Sequence, residues 1–263
     1  MSPRDASSGA SLLDDLICEE VAMLSVSTGT LSSDGAAEFR YALPAHVYLC
    51  AFAVGSVVLD LKRNRYFGLD VDASDQLSAL IDCANSPVSN PDDLAARWIA
   101  RGLLERTQRT SQPFAPGLHV ALSSLEDLQP VHPHLRPRDI AHFTWECAYA
   151  RHSLRNSSLW QIACDLHARR AHKKIATDAP LSALASAVER FRRLRPLAFA
   201  AHDQCLFHAL ALTRFLTAFG LPATWVIGVR LYPWGAHSWV QHGSLVFDAT
   251  PESVHDFRPI IAV

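Results

Sequence analysis

Apolar positions along the chain change period about a third of the way through. From Val47 to Leu69 they come in short, β-branched runs, Val47–Ala53, Val57–Leu61 and Tyr66–Leu69, with a polar turn at 62–65, and predict three compact strands. Two helical stretches follow. Ala73–Cys83 keeps Leu77, Leu80 and Ile81 on one side, and Asp92–Ile99 does the same with Leu94, Ala95, Trp98 and Ile99. Pro91 and Asp92 mark the start of the second helix, and Gly102 lies near its C-cap. Three strands with small helices predict a winged-helix-like module.

Prolines at 113, 116, 130, 133 and 137 preclude a long helix, so 107–137 reads as a linker merging into a second domain. There the period becomes helical: Asp139–Arg151, Ser158–Ala171 and Leu181–Leu194 each carry an apolar stripe. Apolar residues at 206, 209, 210, 212, 215 and 216 predict a fourth helix that starts near Cys205 and stops at Gly220 and Pro222. Thr224–Val229 reads as a strand, 230–236 as an aromatic-rich loop, 237–248 as a hairpin, and Ile260–Val263 as a short docking strand. Ahead of residue 44, one apolar patch from Leu12 to Leu24 predicts a single helix. The expected class is α+β, with an extension over 1–43, the module over 44–112, a linker region over 113–137 and the second domain over 138–263.

A hydrophobic fraction of 49% against 19% charged residues is enough for a core without staples. Net charge of −2 and a pI near 6.7 argue against a generally basic nucleic-acid binder, so no nucleic-acid partner is expected. Basic residues do concentrate between Arg169 and Arg195, either as a solvated helix face or as a surface for an anionic partner. Six cysteines, at 18, 50, 83, 147, 164 and 205, follow no C-x-x-C spacing and suit reduced, mostly buried thiols in a cytoplasmic protein. The start Met-Ser-Pro-Arg-Asp lacks a secretory pattern. The longest apolar run, Val47 to Leu61, is broken by Gly55, Ser56 and Asp60, so no membrane span is expected.

The chemistry gathers in the last quarter. A cysteine in the first turn of a helix faces unpaired N–H groups and the positive end of the macrodipole, which favour an anion there. If His242-Gly243 is a two-residue turn, His237 lies directly opposite Asp248, with Cβ atoms roughly 4.5–5.5 Å apart, close enough for a carboxylate to orient an imidazole. Cys205, His237 and Asp248 are therefore the expected catalytic residues. Convergence of Cys205, His208, His237 and His242 on a metal is the rival arrangement, on a weak C-x-x-H signal. Tyr232, Trp234 and Trp239 either wall a cleft beside His237 or pack in the core. The module shows no phosphate-cradling loop, paired carboxylates or metal cluster. It is a structural appendage, a peptide-binding domain with an exposed strand edge, or a DNA-binding winged helix without a strong basic excess. No Walker motif is present, and no cofactor or metal is expected.

The order of a helix-borne Cys, then His, then Asp resembles transglutaminase-like cysteine proteases. Asp203-Gln-Cys-Leu, Gly220-Leu-Pro-Ala-Thr, Val226-Ile-Gly-Val and Ala236-His-Ser-Trp-Val-Gln-His-Gly are similar to the leader peptidase, or B protein, of lasso-peptide biosynthesis. Val57-Val-Leu-Asp-Leu, Tyr66-Phe-Gly-Leu and the downstream helices resemble the PqqD-like winged helix that precedes that peptidase. The likeness covers 44–263, with Ser238 where alanine is commoner and Gln241 where glutamate is usual. It implies a bacterial, cytoplasmic cysteine peptidase that cleaves the leader from a ribosomally made precursor peptide, ahead of macrolactam closure by an ATP-dependent, asparagine-synthetase-like cyclase. It also implies leader binding by strand addition at Tyr66, Phe67, Gly68 and Leu69, beside the helix around Trp98. Oxyanion donors would be the Cys205 N–H and Gln204. An acyltransferase using the same triad and a non-catalytic precursor chaperone are the alternatives.

Overall fold

The computed structural model describes residues 40–81, 91–107, 112–125, 133–173, 175, 179–198 and 205–263. The apolar patch at Leu12–Leu24, Cys18, Cys83 and Gln204 lie outside them. The chain divides into two compact units, Met1–Ala115 and Pro116–Val263.

In the first unit, β2 (Val47–Phe52), β3 (Gly55–Asp60) and β4 (Arg65–Leu69) form an antiparallel sheet in that order, followed by α1 (Val71–Ile81) and α2 (Pro91–Ala100). These lie within a few residues of the predicted elements. The middle strand, β3, is buried along its whole length, which explains why it reads as a continuous apolar run. Asp60 is buried too. Its Oδ1 accepts from the Lys62 and Arg63 backbone N–H groups, both at 3.0 Å, and its Oδ2 accepts from Arg63 Nη1 at 3.0 Å, which closes the β3–β4 turn. Val47, Val58, Leu77, Leu80, Ala95 and Trp98 form the core, with Phe67 and Leu69 half-buried against it. Trp98, expected beside a bound leader, is only 4% exposed and serves first as core.

Three short strands were not predicted. β1 (Arg40–Ala42), at the end of the stretch read as an extension, pairs antiparallel with β5 (Glu105–Thr107). The region read as linker is anchored at both ends. The Phe114 N–H donates to Tyr48 Oη at 3.1 Å in the first unit, and β6 (Ser123–Ser124) pairs parallel with a strand of the second.

The second unit sets four helices, α3 (Pro137–Asn156), α4 (Leu159–His172), α5 (Leu181–Leu194) and α6 (Cys205–Ala218), with a five-stranded sheet. Its strands are β7 (Thr224–Arg230), β8 (Gly235–His242), β9 (Leu245–Phe247), β6 and β10 (Arg258–Ala262), ordered β10-β7-β8-β9-β6. A short helix α7 (Pro251–His255) precedes β10, which docks antiparallel on β7 as the apolar tail predicts. Helix starts follow local chemistry. At α4, Ser158 Oγ accepts from the Gln161 N–H at 3.2 Å and the Ser158 N–H donates back to Gln161 Oε1 at 2.9 Å, a capping box.

Helix α6 is buried on nearly every side, from Phe207 through Thr217, and packs against α3, α5, β7 and β8. Within it, Arg214 is 2% exposed. It donates to Glu146 Oε2 on α3 at 3.0 Å and to Asp165 Oδ2 on α4 at 2.6 Å, with its guanidinium 3.7 Å from the Tyr149 ring centroid. Arg169 pairs with the other oxygen of Glu146. Arg169 is half-buried, so this part of the basic run read as a solvated or partner-facing surface is turned inward, whereas Arg193 stays exposed and donates to the Pro133 carbonyl at 2.8 Å.

One cysteine expectation fails: Cys164, read as a reduced thiol, is disulfide-bonded, whereas Cys50, Cys147 and Cys205 keep reduced thiols. Bridging depends on the separation of two Cβ atoms in space, which sequence spacing does not encode.

Because Glu146 neutralises a buried cation, Glu146→Ala leaves Arg214 with a deficit in a water-free setting and is expected to cost about 3 kcal/mol. Urea unfolding of the variant against the parent chain measures it, with Glu146→Gln, which keeps the acceptor oxygen, losing less.

Candidate active site

Cys205 is the first residue of α6 and is half-exposed, as a reacting thiol requires. His237 is the third residue of β8, paired across to Gly228 on β7. Since α6 packs on β8, the helix that starts with the thiol lies on the strand that carries the imidazole.

The predicted hairpin register does not hold. Val240 pairs with Phe247, Gln241 with Val246 and His242 with Leu245, so the turn residues are Gly243 and Ser244 rather than His242 and Gly243. Asp248 therefore falls just past the end of β9 and is not paired with His237. The wrong register kept every apolar residue on its proper face, because both partners slid without changing parity, and burial alone could not reject it. Gly243, at φ +59°, is where the turn needs a residue free of a Cβ penalty.

Asp248 adopts φ +51°, a left-handed conformation that Asp tolerates better than most residues, and its side chain is 3% exposed. Its Oδ2 lies 2.7 Å from His208 Nε2 and accepts from Arg195 Nη1 at 3.2 Å. His208 sits one turn beyond Cys205 on α6, and Arg195 opens the 3₁₀ turn Arg195–Leu197 after α5. Of the expected triad, the structure thus joins Asp248 to the nucleophile's helix, and no ion pair or hydrogen bond links Asp248 to His237. His208 and Arg195 are the residues that sequence reasoning missed as carboxylate partners. Their only signal was the three-residue spacing of His208 from Cys205.

His237 is held instead by aromatic rings. Trp239, two residues on and on the same face, stacks with it at 6.1 Å between centroids and 19° between planes, and Phe257 lies 5.2 Å away. Trp239 is fixed in turn. Its Nε1 donates to Gln241 Oε1 at 2.7 Å, and Gln241 Nε2 donates to the His119 and Gly243 carbonyls at 3.1 and 2.9 Å. A Cβ on Gly228 would stand 2.6 Å from two Trp239 ring carbons, so only glycine leaves room for the indole beside His237. Ser238, on the opposite face, accepts from Trp225 Nε1 at 2.8 Å and donates to the Val226 carbonyl at 3.0 Å. Both departures from the resembled pattern, Ser238 and Gln241, therefore receive a tryptophan N–H. Of the three aromatics near His237 in sequence, Trp239 is core, whereas Tyr232 and Trp234 are 78% and 52% exposed.

Burial among these rings lowers the His237 pKa from its ordinary value of 6.5, so the imidazole is neutral at pH 7 and able to take a proton. Among the described residues, no group of three or more His, Cys, Asp or Glu is placed to hold a metal, and no helix is long and apolar enough to cross a membrane.

A half-exposed thiol opening a buried helix, with a neutral imidazole on the strand beneath, is equipment for acyl transfer through a thioester. Comparison with known families bears on the same stretch. Residues 145–262 match the Transglutaminase-like superfamily. That superfamily includes cysteine peptidases and acyltransferases. The transglutaminase-like domain runs from within α3 through β10 and contains Cys205, His237 and Asp248. No curated protein and no solved structure matches the chain.

Two outcomes follow for the transglutaminase-like domain. Gly228→Ala is expected to push Trp239 aside at a cost of about 1–3 kcal/mol, read as a changed near-ultraviolet tryptophan signal together with a lowered unfolding midpoint. His237 is expected to titrate below 6.5 by NMR, and Phe257→Ala, which lets water reach the ring, to raise that value. As pH falls below 6.5 the unfolded chain takes up the proton first. His237 therefore withdraws stability between 6.5 and its lower folded value, and adds no pH dependence above that window.

Proposed function

We propose that this protein is a cysteine peptidase that binds the leader of a ribosomally made lasso-peptide precursor and cleaves it from the core. The observation that carries the reading is the transglutaminase-like match spanning a helix-borne Cys205, then His237, then Asp248. Motif likeness to the lasso-peptide B proteins narrows the substrate class.

In this mechanism His237 takes the Cys205 proton, and the thiolate attacks the carbonyl that joins leader to core. The tetrahedral oxyanion is met by the Cys205 N–H and the Gln204 side chain. As it collapses, the imidazolium gives its proton to the leaving core amine, which departs and leaves the leader carboxyl as a thioester. His237 then draws a proton from water, whose oxygen attacks the thioester. The leader acid and the free thiol are regenerated. The freed amine becomes the nucleophile for macrolactam closure by an ATP-using, asparagine-synthetase-like partner, since this chain carries no Walker motif of its own.

Leader recognition falls to the first unit. There β4 is the last strand of the β2-β3-β4 sheet. Tyr66, Phe67 and Leu69 are half-buried and Gly68 is exposed. An extended leader segment adds there by main-chain hydrogen bonds, with Trp98 supporting the strand from the core.

An acyltransferase with the same site differs only in what resolves the thioester. Cys205→Ala is expected to abolish cleavage of the precursor and leave leader binding, followed by fluorescence anisotropy, within about twofold of the parent protein. Mass spectrometry of the products separates the readings: addition of water marks hydrolysis, and addition of an acceptor amine marks transfer. Retained proteolysis in Cys205→Ala rules out the assignment.

A further inference from the structure

Asp248 is bound to partners that the proposed triad does not use. Its carboxylate is almost fully buried, its backbone is held in the left-handed region, and Oδ2 is contacted by His208 Nε2 at 2.7 Å and Arg195 Nη1 at 3.2 Å. These contacts come from three places in the fold. Asp248 directly follows β9, Arg195 begins the turn after α5, and His208 lies on the first turns of α6, three residues beyond Cys205. Three residues along a helix is close to one turn, so the imidazole and the thiol sit on neighbouring positions of one face.

We infer that His208 and Arg195 are positioning residues, and that through Asp248 they lock the first turn of α6, and with it the Cys205 thiol, onto the sheet that carries His237. A carboxylate this buried is costly without charged or donating partners. The ones present on Oδ2 fix its place from the helix side. Phe191 packs its ring 5.5 Å from the His208 ring and holds the imidazole from behind, so the contact rests on a fixed rotamer. The usual part for the third residue is to orient the base. Here the carboxylate's contacts make it orient the nucleophile.

This inference rests on Cys205 being the nucleophile, and the test therefore reads the thiol itself as well as cleavage. Rates of Cys205 alkylation by iodoacetamide are measured by peptide mass spectrometry in the parent chain and in His208→Leu, His208→Gln, Asp248→Asn, Arg195→Ala and the His208→Leu/Asp248→Asn double variant. Thermal midpoints are recorded for each. Expected are about tenfold losses of rate in His208→Leu and Asp248→Asn, the size of one lost contact to a charged group, and a double variant no slower than either single one. His208→Gln, whose amide nitrogen reaches the place of Nε2, recovers most of the rate, and Arg195→Ala lies between. A merely structural role would not produce both the Gln recovery and the non-additivity. Additive losses, or a His208→Leu variant that folds and alkylates at the parent rate, overturn the inference and leave the peptidase reading standing. If Cys205 in the parent chain labels no faster than Cys50 and Cys147, the nucleophile assignment fails and the inference fails with it.

Discussion

Arg214 is the constraint on which the second unit depends. Helix α6 is covered on almost every side, and an apolar cylinder packed in an apolar setting has no strong preference for one rotation about its axis. A buried guanidinium with two carboxylates from different helices removes that freedom, because any other rotation strands charges in a dry interior. Cys205 precedes Arg214 by two and a half turns, so at about 3.6 residues per turn the two point to opposite sides of the helix. Holding Arg214 toward Glu146 on α3 and Asp165 on α4 therefore turns the thiol away from those helices.

The sheet side is organised by absence of volume. Gly228 leaves the space that the Trp239 indole fills, and the indole then offers a flat apolar surface to His237. The ladder His237, Trp239, Gln241 runs along one face of β8, with the amide at its end tied to two backbone carbonyls. A ring stack of this kind sets orientation and, by excluding water, also sets protonation. One arrangement thus supplies a base that is both placed and neutral, without a carboxylate against it.

Periodicity made most of the fold legible, and its failures are of one physical kind. Elements longer than about five residues follow from local spacing, caps and glycines, as β2 to β4, α1 to α6 and β7 did. What depended on pairing at a distance was missed. The two-residue β6 and the three-residue β1 and β5 carry too few positions to show a period, and the hairpin register has several solutions of equal hydrophobic merit. Choosing His242-Gly243 as the turn instead of Gly243-Ser244 moved Asp248 opposite His237 and produced a tidy triad that the register does not contain. The identities Cys205, His237 and Asp248 were readable from order along the chain; the contacts of Asp248 were not. No sequence rule marks a left-handed Asp or says that a histidine three residues after a cysteine will turn toward a carboxylate from the sheet.

That error changes how the third residue is to be understood. In a flat hairpin pair, a carboxylate opposite an imidazole is aligned by the sheet alone, and losing it costs orientation of one ring. Placed beyond the end of β9 in a strained conformation, Asp248 is a poor match for that part but well placed to join the helix and the sheet. Apolar packing fixes distance well and sliding poorly, whereas a polar contact at 2.7 Å to a buried carboxylate resists sliding. A thiol on a helix and a base on a strand have to keep their separation to within a fraction of an ångström for proton transfer. The place where helix and sheet need a directional tie is the first turn of α6, and that is where Asp248 holds His208.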